Sequence, residues 1–247
     1  MTSPTVAMIR TETRLFARER LSLFWILAFP TLLLVVLGVV PAFREYNEDF
    51  DNRRLIDLYV PTTVLLSMIM AAIMTMPPTL TGYRESGVLR RLGTTPARPS
   101  SILLGQVLVH GVAVAVSSVI VLVVGRVVFE TPLPGSLLGY AAAYLLALAV
   151  SLGIGTAITA VSPNAKTGQV VAMVAFIPSM FTAGVYFPVE VFGGTVRDVI
   201  SLTPYGAASN ALNDAGAGAF PQLMDLAVMG GWAIVLYVIA VRAFKWE

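Results

Sequence analysis

The sequence contains no cysteine and only one histidine, His110. Without cysteine there can be no disulfide, no thiolate metal site and no cysteine nucleophile. A single histidine cannot form a multi-histidine metal site, and the zinc-protease motif H-E-x-x-H needs two. These two shortages exclude several classes of metal and covalent chemistry for this chain of 247 residues.

Two further motifs are absent from the full sequence. The phosphate-binding loop G-x-x-x-x-G-K-[ST] does not occur, and neither does the nucleophile elbow G-x-S-x-G. The chain is therefore predicted not to bind and hydrolyse ATP by the phosphate-loop route. We predict no catalytic residue, no metal site and no cofactor in this chain, so a self-sufficient enzyme is poorly supported.

Charge is also scarce. Charged residues make up 12% of the sequence and apolar residues 57%, with a mean hydropathy of +0.81. An ordinary soluble domain is about 25% charged, so this composition indicates a polytopic membrane protein. The net charge of +2 gives no support for a nucleic-acid partner.

What is present is a series of long apolar runs. They are continuous rather than alternating and about 20 residues long, which favours transmembrane helices over barrel strands. We predict an all-α integral membrane protein with a domain over 21–247 and a polar segment over 1–20. The six predicted spans are approximately 21–40, 58–80, 102–124, 135–161, 169–187 and 223–241. Pro30 is expected to kink the first span, and Pro77-Pro78 to bend or break the second.

The polar segments between these runs differ in character. In 1–20, Arg10, Arg14 and Arg18 share one helical face, interrupted elsewhere by Glu12 and Glu19, which predicts an amphipathic helix at the membrane surface. A disordered basic leader is the alternative. The stretch 188–222 is too polar for a span and too apolar for a solvated loop, so we predict external re-entrant helices there.

Orientation follows from the distribution of Lys and Arg. Four lie in the N-terminal segment, four in the loop between spans two and three, one in the next loop on that side and two in the tail, which makes 11 of the 16. The positive-inside rule therefore predicts that both termini are cytoplasmic.

A few residues inside the apolar runs are candidates for a functional role. His110 is read as a neutral imidazole hydrogen-bonded between helices or as a functional ionisable group, and Asp225 as an interfacial or a functional carboxylate. Met70 and Met74 in the second span, with Phe176 and Phe181 in the fifth, are candidates for a path taken by lipophilic substrates. Ordinary packing or lipid contact is the alternative, and residues of this kind more often have that role.

The loop between spans two and three, from Thr81 to Ser101, is called the elbow. Its Val88, Leu89 and Leu92 share one helical face, away from Arg90 and Arg91, and Gly93 with Thr94-Thr95-Pro96 is expected to end the helix. A short amphipathic helix of this kind suits docking to another protein. A positively charged loop with no further role is the alternative.

The elbow sequence R-E-S-G-V-L-R-R-L-G-T-T-P, from Arg84 to Pro96, resembles the R-E-x-G-x-L-x-x-L-x-x-[ST]-P elbow of ABC type-2 transporter permeases. Two later stretches are also similar to that family: G-V-Y-F-P-V-E from Gly184, and L-T-P-Y from Leu202. Here Ser201-Leu202-Thr203 replaces the family's usual Asn before the proline. The similarity extends along essentially the whole chain.

The resemblance implies a permease subunit of an ATP-driven exporter in the cytoplasmic membrane. It would pair with a second permease subunit, identical or related, and with a separate ABC ATPase that binds ATP and Mg²⁺. The family's coupling helix would comprise Arg84, Glu85, Gly87, Val88, Leu89, Arg90, Arg91 and Leu92. The external re-entrant region would include Pro188, Glu190, Pro204 and Tyr205.

The substrate remains open at the level of sequence. A lipophilic drug, antibiotic or natural product is the leading expectation, because the spans look mostly aliphatic, and a lipid-linked glycan or lipid is the near alternative. A polytopic membrane enzyme or a channel is the alternative of another class, and it would need a convergent polar site within the bilayer.

Overall fold

The computed structural model describes residues 4–47, 52–88 and 100–243, and it is helical almost throughout. Within these residues the β-structure is one antiparallel pair of two-residue strands, β1 (Tyr46–Asn47) and β2 (Arg53–Arg54). The predicted all-α class is confirmed. In chain order the principal helices are α1 (Pro4–Phe16), α2 (Arg20–Val39), α3 (Leu55–Glu85), α4 (Ser100–Phe129), α5 (Leu137–Val161), α6 (Ala165–Thr182), α7 (Gly194–Ser201), α8 (Pro204–Gly216) and α9 (Leu223–Ala243).

Five of these helices are long and apolar enough to cross a membrane: α2, α3, α4, α5 and α9. The predicted fifth span, 169–187, lies largely in α6, which begins four residues earlier and includes the polar Lys166 and Gln169 in its first turns. Helix α6 is not among the five candidate spans of the described chain. The count of six spans and the cytoplasmic placement of the termini stay predictions.

Helix α3 forms the centre of the bundle. In its most apolar window 94% of the residues are buried, against 22% in the windows of α2 and α9. It contacts α2, α4, α5, α6 and α8, and its aliphatic residues form much of the main core. Any displacement of α3 therefore repacks most of the protein.

Pro30 in the first span and Pro77-Pro78 in the second each follow a π-helical segment. A proline lacks an N–H, and its ring clashes with the carbonyl four residues earlier. A π segment, Phe24–Ala28, precedes Pro30, and the Ser117 hydroxyl donates a hydrogen bond of 2.6 Å to the Ile26 carbonyl that position 30 would otherwise bond. The structure therefore supplies a new donor for the carbonyl that the proline leaves unbonded.

A second π segment, Met70–Thr75, precedes Pro77 and Pro78, which lie in the first turn of the α-helix that follows. Of the two predicted effects of these prolines, a break does not occur, because the helix continues to Glu85, and a bend stays a prediction. Helix α4 extends five residues beyond the predicted end of the third span, to Phe129. The fourth span, α5, begins two residues after its predicted start and ends at the predicted residue.

Two short helices, α7 and α8, occupy the predicted re-entrant region. Thr203 caps α8, with its hydroxyl accepting from the Gly206 N–H at 3.1 Å, and Pro204 fills the first helical position. Most of α8 is buried against α5 and α9. The position of these helices relative to a bilayer stays a prediction.

Candidate functional site: the elbow anchor and the neighbouring cavity

Helix α3 ends within the elbow, at a turn formed by Gly87. This residue has φ +71°, and its N–H bonds the Arg84 carbonyl at 3.1 Å, which is how a glycine ends a helix. Arg84 and Glu85 therefore belong to the last turn of α3, and the turn at Gly87 separates them from the rest of the predicted coupling segment, whose role stays a prediction. Leu89, Arg90, Arg91 and Leu92 lie outside the described residues.

Arg84 and Glu85 bind the turn between α5 and α6. The Arg84 guanidinium donates to the carbonyl of Ser162, the residue that caps the end of α5. Glu85 Oε1 accepts from the N–H of Ala165, the first residue of α6, at 2.8 Å. A cation at a helix carboxyl end and a carboxylate at an amino end both complement the helix dipoles. We call Arg84, Glu85, Ser162 and Ala165 the elbow anchor.

Val88, predicted to face a docking partner, has contacts within the chain. It packs against a small buried cluster formed by Met76, Leu80, Ile102 and Leu152. The cluster joins the end of α3 to α4 and α5. The described start of the elbow is thus packed onto the bundle.

Helix α1 is hydrogen-bonded to α3 and α4 through Glu12, which is only 4% exposed. Its Oε2 accepts from the Tyr83 hydroxyl at 3.0 Å and from Gln106 Nε2 at 2.5 Å. Tyr83 lies on α3 before the turn at Gly87, and Gln106 lies on α4 after the elbow. Burial raises the pKa of the Glu12 carboxyl above its usual value. The sequence pattern treated Glu12 as an interruption of the amphipathic helix, whereas in the structure its hydrogen bonds join α1 to α3 and α4.

His110 continues this polar series into the bundle. It is 1% exposed, and its Nδ1 lies 2.9 Å from the Gln106 carbonyl, which can only accept, so Nδ1 donates. Nε2 lies 3.1 Å from the Thr75 hydroxyl on α3. His110 is therefore hydrogen-bonded between α3 and α4, as the first of its two sequence readings expects.

A cavity of about 610 Å³ lies between α2, α3 and α6. Three of the four predicted path residues, Met70, Met74 and Phe176, line it together. The fourth, Phe181, packs against Phe192 with ring centroids 5.2 Å apart and does not line it. The full lining is Glu19, Leu21, Ser22, Trp25, Met70, Met74, Thr75, Pro78, Thr79 and Phe176.

The opposite end of the bundle holds a polar cavity of about 650 Å³. Asp225, 6% exposed, lines it with Glu190, whose Oε1 accepts from Asn213 Nδ2 at 3.1 Å. Pro188 caps the adjacent short 3₁₀ turn. Tyr205 is 1% exposed, and its hydroxyl has no hydrogen-bond partner in the described part of the chain.

The start of α3 is also anchored by an arginine. Arg54 pairs with Asp57 at 2.7 Å and donates to the carbonyls of Phe129 and Glu130, at 3.1 and 3.3 Å, where α4 ends. The hydrogen bonds to Asp57 raise the pKa of Arg54. Each end of the central helix is thus tied by an arginine to the carbonyl end of a neighbouring helix.

A helical chain with five apolar helices of membrane-spanning length, fixed to one another by polar contacts at their ends, is a multi-pass membrane protein. The sequence model of the ABC-2 type transporter family matches residues 4–214. The chain therefore belongs to the ABC-2 type transporter family, a family of transmembrane transport components, and the predicted family is confirmed. No curated protein matches the chain.

The role of Glu12 can be tested with two substitutions. Glu12→Ala is expected to destabilise the purified protein by about 1–3 kcal/mol, because the Tyr83 hydroxyl and the Gln106 amide lose their acceptor. Glu12→Gln keeps an acceptor oxygen and removes a desolvated charge, so it should melt at or above wild type at neutral pH. Melting temperatures in detergent measure both effects.

The pH dependence has a definite sign. The pKa of Glu12 is higher in the folded protein than in the unfolded chain. Its protonated carboxyl therefore stabilises the fold at pH values below the usual pKa, and this stabilisation is lost as the pH rises from the usual pKa through the raised one. The advantage of Glu12→Gln over wild type should therefore shrink on acidification through this window. Equal melting of the Ala and Gln variants at every pH would show that Glu12 does not hold α1.

Proposed function

We propose that this chain is the permease subunit of an ATP-driven ABC exporter that moves a lipophilic substrate out across the cytoplasmic membrane. The observation that carries the proposal is the double role of α3. It lines the 610 Å³ cavity with Met70, Met74, Pro78 and Thr79, and it ends a few residues later at the elbow anchor. A force applied at the elbow would therefore move a wall of the cavity.

The energy source is proposed to be a separate ABC ATPase subunit. Membership of the family and the absence of a phosphate loop from the full sequence support this partner. ATP and Mg²⁺ would be bound by the ATPase, which would dock on the elbow around Leu89–Leu92. A second permease subunit, identical or related, would complete the complex within the lipid bilayer.

The structure also refines the proposed mechanism at the elbow. Arg84 and Glu85 are engaged with the turn between α5 and α6, so a push on the elbow would reach α5 and α6 as well as α3. Glu12 would carry the same movement to α1. In this mechanism Arg84 and Glu85 transmit force within the permease, and the residues around Leu89–Leu92 contact the ATPase.

The lining of the cavity favours a lipophilic substrate over a glycan. Trp25, Met70, Met74 and Phe176 provide aromatic and thioether surface, which suits apolar ligands of varied shape. Glycan sites need many hydrogen-bonding groups, and among the described lining residues the polar side chains are Glu19, Ser22, Thr75 and Thr79.

The decisive experiment is ATP-dependent uptake of a panel of lipophilic compounds into inverted vesicles that contain the chain and its ATPase. Met74→Trp should fill the cavity and lower uptake by about tenfold or more. Met173→Trp is the matched control, because Met173 is an exposed residue of α6 that does not line the cavity. Absence of ATP-dependent uptake of every compound, or equal uptake by the two variants, would count against the proposal.

A further inference from the structure

The 610 Å³ cavity has a single charged wall residue in the described part of the chain, and it is acidic. Glu19 lies in the lining, and no Lys or Arg of the described ranges lines the cavity with it. The remaining lining is mostly apolar or aromatic. A lone carboxylate beside such a surface attracts cationic ligands and repels anionic ones, because an apolar wall screens charge poorly.

The carboxylate of Glu19 is little used by the fold itself. Glu19 occupies the capping position of α2, yet its side chain makes no capping hydrogen bond. It accepts one hydrogen bond, from the Ser22 hydroxyl to Oε2 at 3.0 Å, and it forms no ion pair within the described residues. A carboxylate has room for about four acceptor contacts, so most of its capacity remains for a ligand.

The apolar part of the cavity is formed by residues of α2, α3 and α6. Trp25 follows Glu19 by less than two turns of helix, and edge contacts to Phe24 and Phe29, with centroids 5.3 and 5.0 Å from its own, hold its ring. Met70, Met74 and Phe176 complete this apolar wall. Aromatic rings attract cations by their faces, so these residues are compatible with a charged group as well as with an apolar body.

We propose that the cavity binds lipophilic cations, with Glu19 pairing the cationic group and Trp25, Met70, Met74 and Phe176 holding the apolar body. The proposal rests on the proposed function in that it names the substrate class of the same site. Such a cavity would distinguish ligands by charge. Lipophilic anions of equal size would bind more weakly than cations, because the described lining contains a carboxylate and no Lys or Arg.

The test uses two probes of nearly equal size and opposite charge, tetraphenylphosphonium and tetraphenylborate. Equilibrium binding to the purified full chain in neutral detergent needs no ATP and no partner. Wild type should bind the phosphonium more tightly than the borate. Glu19→Gln should weaken phosphonium binding by about threefold, as loss of one ion pair to an exposed carboxylate predicts, and Glu19→Asp should keep the preference.

Glu45→Gln is the matched control, since it removes an equal charge from an exposed residue that does not line this cavity. Its phosphonium binding should equal that of wild type. Equal or tighter borate binding by wild type would overturn the proposal without any variant, and so would unchanged phosphonium binding by a folded Glu19→Gln chain.

The two proposals fail in different ways. ATP-driven uptake of neutral lipophiles, with no preference for the phosphonium and no effect of Glu19→Gln, would overturn the cation proposal and leave the exporter function standing. Phosphonium binding that depends on Glu19, with no ATP-driven uptake of any compound, would overturn the exporter function instead.

Discussion

Replacing Arg84 with alanine is expected to lower the melting temperature of the isolated chain and also to impair ATP-driven transport. The substitution leaves the Ser162 carbonyl at the end of α5 without its arginine donor and removes one of the two bonds of the elbow anchor. Losing the partner of a partly buried polar group costs about 1–3 kcal/mol. Melting in detergent and uptake into inverted vesicles measure the two effects separately.

The melting experiment distinguishes two roles for this arginine. If Arg84 acted only by touching an ATPase, the chain purified alone would melt like wild type and only transport would fall. Arg10→Ala is the control, because Arg10 is an exposed arginine of α1 outside the elbow anchor. Equal melting of the Arg84→Ala and Arg10→Ala chains would refute the anchor.

Substituting Gly155 is expected to have a large effect on folding. A β-carbon at this position of α5 would overlap the Ala72 carbonyl in the π segment of α3 and would lie 3.2 Å from the Met76 sulfur. Backbone atoms cannot rotate away, so the two helices must separate. Gly155→Ala should destabilise the protein by about 1–3 kcal/mol, as overpacking does, and Gly155→Leu should abolish the monodisperse folded protein.

Gly230→Ala is the control for this prediction. Gly230 is also a helical glycine, in α9, but a β-carbon there would meet nothing within 4 Å. Size-exclusion profiles and melting temperatures of the detergent-solubilised variants should separate the two positions. A Gly155→Ala chain as stable as Gly230→Ala would contradict the close approach of α3 and α5.

The membrane helices were predictable because lipid leaves few alternatives for an apolar run of about 20 residues. Their ends were less predictable. Helix α3 continues past the double proline that follows the π segment at Met70–Thr75, and α4 reaches Phe129 where Arg54 meets its last carbonyls. Hydrophobic periodicity reveals neither the π segment in α3 nor the distant arginine at the end of α4.

The candidate site was likewise only partly predictable from the sequence. The composition of the second and fifth spans was enough to single out Met70, Met74 and Phe176, but Glu19 and Trp25 needed the arrangement of α2 beside α3. Glu12 accepts from Gln106 across 94 residues of sequence, and Arg84 donates to Ser162 across 78. No local pattern marks such partners, so sequence reasoning assigned Arg84 and Glu85 outward roles.

The π segment before Pro77 has a consequence for comparing related chains. A π turn holds one more residue than an α turn of the same height, so Met70–Thr75 is equivalent to a single-residue insertion in α3. A relative that lacks the prolines can lose one residue here and keep both helix ends in place. Alignments of this span should therefore carry a one-residue gap near position 72, and an ungapped alignment would pair residues that face different neighbours.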